Sequence, residues 1–110
     1  MNYTIRIIDE TTFVFDFQPK NTVLSIFLDG DFTAFQDQFL QLIDDVLAGK
    51  SKSEEMTGNS TNVVFQKEVT TIENLFLEGE PATCEISTKE LRTLMDERLQ
   101  KRAEFLKKKK

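Results

Sequence analysis

At 110 residues the chain has the length of one ordinary domain, so a single hydrophobic core is expected across 1–110. Apolar residues make up 39% of it and charged residues 30%, and ten phenylalanines supply the aromatic surface that a disordered tail lacks. A net charge of −5, one cysteine and no histidine exclude an internal disulfide, the familiar histidine-based catalytic pairs and any zinc-ligand spacing.

Tyr3, Ile5 and Ile7 alternate with polar neighbours, as do Phe13, Phe15 and Phe17, and Asp9-Glu10-Thr11-Thr12 between them has turn composition. A β-hairpin is expected, with the three phenylalanines on one face packing against a helix. Pro19 closes the second strand. Val23 to Leu28 is a short apolar run ended by Asp29-Gly30; its periodicity fits a strand or a helical turn, and a third strand is the expectation.

Asp31 offers an N-cap oxygen, and Phe32, Phe35, Phe39, Leu42, Ile43, Val46 and Leu47 follow at spacings of three and four. The pattern predicts one amphipathic helix ending at Gly49, a C′ residue, with Asp37, Gln38, Gln41, Asp44 and Asp45 on its polar face. Residues 49–60 have loop composition and are expected to be mobile. Thr61 to Thr70, Thr71 to Leu77 and Ala82 to Ile86 read as strands, with a turn at Glu78-Gly79-Glu80-Pro81. Ser87-Thr88-Lys89-Glu90 matches a capping box that opens a last helix through Leu91, Leu94, Met95, Leu99 and Leu106, ending in a basic tail at 107–110. The expected fold is α+β: an antiparallel sheet of about five strands with two helices on one face, in the order ββ(β)αβββα.

No catalytic residue, cofactor site or metal site emerges from this order. Cys84 lies inside a short strand, where a cysteine behaves as a small buried hydrophobe. Asp29-Gly30-Asp31 begins like a calcium loop, but Thr33 and Leu40 stand where further ligands belong, so a turn is expected. Gly30, Gly49, Gly58 and Gly79 are too scattered for a phosphate-binding loop. Asp44-Asp45, Glu54-Glu55 and Glu78-Gly79-Glu80 have the composition of solvated surfaces. The terminal lysines read as a solvated helix end, or as a contact for phosphates or anionic lipid.

Charge is unevenly spread. From Met1 to Thr88 fifteen acidic residues stand against five basic ones, a net −10; from Lys89 onward nine basic residues stand against four acidic ones, a net +5. The acidic body repels nucleic acid and favours a basic protein partner. Neither a secretory leader nor an apolar run of about 20 residues is present, so a cytoplasmic, non-membrane protein is expected.

In element order, size and charge the chain resembles the small acidic immunity proteins of bacterial polymorphic-toxin and contact-dependent inhibition systems. The helix from Phe32 to Leu47 and the Phe13, Phe15, Phe17 strand match their general layout, while the basic C-terminus departs from it. The resemblance implies a non-enzymatic protein that neutralises a toxin domain; the alternative is a small homo-oligomeric structural or regulatory protein. The expected partner surface is formed by Asp37, Asp44 and Asp45 on the first helix with Glu54 and Glu55 in the adjoining loop, all on one side of the molecule.

Overall fold

The computed structural model describes residues 2–79 and 81–107. They form β1 (Asn2–Ile7), β2 (Phe13–Gln18), α1 (Thr22–Asp29), α2 (Asp31–Ala34), α3 (Gln36–Leu47), β3 (Ser53–Thr57), β4 (Thr61–Gln66), β5 (Val69–Asn74), β6 (Thr83–Ser87) and α4 (Thr88–Lys107). The strands make two antiparallel sheets, β1-β2 and β3-β4-β5-β6. The α+β class and the antiparallel pairing agree with expectation. The single sheet of about five strands with two helices does not: six strands divide between two sheets, and the helical segments number four among the described residues.

The hairpin pairs Ile5 with Phe15 and Ile7 with Phe13, and Phe13, Phe15 and Phe17 are buried as their alternation requires. β1 overhangs the core, leaving Ile5 and Ile7 exposed while Tyr3 stacks on Phe15 at 4.0 Å between ring centroids. The Tyr3 hydroxyl donates to Glu97 Oε1 at 2.7 Å, joining β1 to α4. Burial, with Glu97 beside it, pushes that phenol up to about 12.

Val23 to Leu28 is helical, correcting the expected strand. Asn21 supplies the reason: its side-chain oxygen accepts from the Leu24 amide at 3.0 Å, an N-cap that starts α1 directly after the hairpin. Val23, Leu24, Phe27 and Leu28 are then buried together.

The helix expected from Phe32 to Leu47 is broken at Phe35, whose backbone (φ −125°, ψ 38°) is not helical. The break lets both flanking segments reach the same ring: Phe27 meets Phe32 at 6.1 Å and Phe39, edge to face, at 5.1 Å. Nor does Asp31 cap a helix. It is the first residue of α2, and its carboxylate turns to the β3–β4 connection, accepting from the amides of Asn59, Ser60 and Thr61 and from the Thr61 hydroxyl. At its far end α3 closes as expected at Gly49 (φ +79°), with Gly49 donating to Val46 O and Lys50 to Asp45 O.

Residues 49–60 were expected to be loop, yet they contain β3, registered against β4 through Glu54–Phe65 and Met56–Val63. Of the expected turn at 78–81, Gly79 has φ +77°, and Glu80 lies outside the described residues. α4 begins where the capping box places it, with the Glu90 amide donating to Ser87 Oγ at 3.3 Å. Thr88 ties that start to the sheet by bonding Thr70 and the Gln66 carbonyl. Beyond Lys107 the expected basic tail lies outside the described residues.

The apolar stripe of α4 holds one charged member. Arg98 is 4% exposed, its guanidinium 4.0 Å above the Phe13 ring centroid, and it donates to Phe13 O at 3.0 Å. Asp29 at the end of α1 pairs with it at 3.1 Å. The Phe15 amide also bonds Asp29, and Ser25 donates to Phe15 O. The inner edge of β2 is thus closed by side chains from α1 and α4 instead of another strand, which explains why the sheets remain separate.

Candidate partner-binding surface

The sheet of β3 to β6 has one packed face and one open face. Val63, Phe65, Ile72, Cys84 and Ile86 point into the core, where α1, α3 and α4 cover them. On the opposite face the register sets Glu55, Val64, Thr71 and Glu85 in one row across the four strands, and Thr57, Asn62, Glu73 and Thr83 in the next. No residue in either row is buried, and no lysine or arginine occupies an outward position on these strands.

At the end of β5 the ladder continues one step, the Leu75 amide donating to Ser60 O at 2.8 Å. Leu75 therefore follows Thr71 and Glu73 on the open side by the two-residue period of a strand. Phe76 comes next, held by its amide to Asn74 Oδ1 at 2.9 Å, and it is 72% exposed. Phe76 thus leaves a large aromatic ring in water just past the end of β5, which periodicity does not reveal because Thr71 to Leu77 reads as one strand. A second exposed apolar group, Ile5, Ile7 and Ile8, lies along β1.

The five expected site residues take different places. Asp37 is exposed in the first turn of α3. Asp44 is ion-paired with Arg92 of α4 at 2.7 Å, so its charge is already partnered within the fold. Asp45, half-buried, accepts from Gln41 at 2.9 Å. Glu54 and Glu55 are neighbours on β3 and so project to opposite faces: Glu54 to the α3 side, accepting from Ser51 at 2.6 Å, and Glu55 to the open face, accepting from Asn62 at 2.9 Å. A strand where a loop was expected is the physical reason the pair divides.

Three other titratable groups, Cys84, Asp29 and Asp31, serve the interior. Cys84 is buried and accepts from Asn21 at 3.1 Å, and burial pushes its thiol up, away from the reactive thiolate. It lines a cavity of about 410 Å³ with Asn21, Val23 and Pro81. Burial raises Asp29 to about 6, against the opposing pull of Arg98. For Asp31 burial also acts upward, but hydrogen bonds from Thr61, Ser60 and Asn59 outweigh it and hold the carboxyl below its usual range. The two carboxylates of Asp29-Gly30-Asp31 face different partners, as the turn reading requires. No helix among the described residues is long and apolar enough to cross a membrane.

An open sheet face, with exposed Leu75 continuing it and exposed Phe76 following in the chain, has the chemistry of a protein-docking surface. The chain is 31% identical over 106 residues to a protein of Bacillus cereus named "Immunity protein", covering 96% of this chain and 91% of that one. It belongs to that immunity-protein family. No family model matches the chain, and no solved structure does.

Proposed function

We propose that the chain is a non-catalytic inhibitor that binds and neutralises a cognate bacterial toxin domain in the cytoplasm. The observation that carries this reading is the likeness, along nearly the whole chain, to a protein named as an immunity protein. Charge supports it: the acidic body favours a basic partner, such as a toxin domain that must approach phosphate, and raises the rate at which the two meet. The contact is an acidic surface, and the candidate carboxylates offer two alternatives for it: Asp37, Asp44 and Asp45 on the polar face of α3, or Glu54 and Glu55 on β3.

Co-expression tests the reading. The toxin domain encoded next to this gene should arrest growth of a heterologous host when expressed alone, and growth should resume when this chain is supplied. Arrest that persists with the chain present, or a gene neighbourhood with no toxin, contradicts it.

A further inference from the structure

We infer that the open face of the β3–β6 sheet, continued by Leu75 and followed by Phe76 just past the end of β5, is the surface that docks a basic protein domain; this rests on the inhibitor reading above. Three observations converge on it. Among the described residues nothing covers the face, although its other side is packed, and its outward strand positions include Glu55, Glu73 and Glu85 with no basic residue. Leu75, 46% exposed, continues it by the two-residue period, and Phe76, 72% exposed, follows in the chain just past the end of β5. In the α3 surface, by contrast, Asp44 already has Arg92 as its counter-ion.

The charge identifies the occupant. A second copy docking face to face would set glutamates against glutamates, and nucleic acid would bring phosphates to them, so both are disfavoured. A protein surface rich in lysine or arginine is complementary. The features divide the work: the glutamates steer the encounter and govern the association rate, while Phe76, entering an apolar pocket on the partner, slows dissociation.

The test measures association and dissociation rates for the purified toxin domain encoded next to this gene, at low and high salt. The immobilised variants are Glu73→Lys/Glu85→Lys, Phe76→Ala, Asp37→Lys on α3 and Ile7→Lys on β1. The double variant should associate about tenfold more slowly at low salt with a flatter salt dependence, and Phe76→Ala should dissociate about tenfold faster, whereas Asp37→Lys and Ile7→Lys should match the parent. Carbodiimide coupling should join Glu55, Glu73 or Glu85 to toxin lysines. Because all substituted side chains are exposed, circular dichroism should report parental folding; Glu73→Gln/Glu85→Gln, which adds no new charge, should show a smaller loss of the same kind. If the parent binds the toxin but the sheet-face and Phe76 variants bind equally well, or if Asp37→Lys carries the loss, the surface is wrong while the inhibitor reading stands. If the parent does not bind at all, both fall.

Discussion

Asp31 is 3% exposed and takes four donors from a turn some thirty residues further along the chain. Gly58 makes this approach feasible, since a Cβ there would lie 2.6 Å from the carboxylate. Asp31→Ala should destabilise the protein by about 3 kcal/mol in urea denaturation, because buried donors lose their acceptor. Gly58→Ala should destabilise through the same contact, and the double variant should lose less than the sum of the two. The sign with pH follows from the lowered carboxyl: its contribution is full above the ordinary carboxylate value and disappears as pH falls through the folded one, so Asp31→Asn should weaken the acid sensitivity of the fold. Arg98 is the other residue on which the interior turns. Arg98→Ala should cost about 3–5 kcal/mol, leaving Asp29 without its cation and Phe13 O without its donor.

Among the elements, α1 and β3 depart from the sequence pattern for opposite reasons. Val23 to Leu28 is apolar enough for either structure, and Asn21 decided it; Asn21→Ala should destabilise by about 1 kcal/mol, where a strand at 22–29 would show no such cap effect. β3 carries Glu54, Glu55 and a single apolar side chain, Met56, so hydrophobic alternation is nearly absent, and pairing with β4 makes it a strand. Its charges suit an edge position. By contrast, the alternation of Phe13, Phe15 and Phe17, the Gly49 ending and the Ser87 capping pattern are all local signals, and each was legible. The link between α1 and α4 has its own pH signature. Asp29, raised to about 6, adds stability that is full below about 3.8 and lost as pH rises through about 6. Wild type should therefore lose ground to Asp29→Asn as pH is raised across that window, measured as the difference in denaturation midpoints.

At the scale of the whole molecule, the charge division along the sequence is partly used up within the fold. Arg92 and Arg98 of the basic C-terminal helix pair with Asp44 and Asp29 of the acidic body, so the counted asymmetry overstates what a partner would meet. The candidate surface was only half legible for this reason: composition indicated an acidic protein, but which carboxylates are engaged internally depends on contacts 48 to 69 residues apart. Glu55 is among the expected carboxylates, whereas Glu73 and Glu85 are not, because the face they share with it exists only once β3 to β6 are in register.

Inhibition by binding is read most directly from the activity of the purified neighbouring toxin domain, titrated with this chain at concentrations well above the dissociation constant. Activity should fall linearly to the baseline and stop falling at one equivalent. Full toxin activity at a large excess of the chain would contradict it.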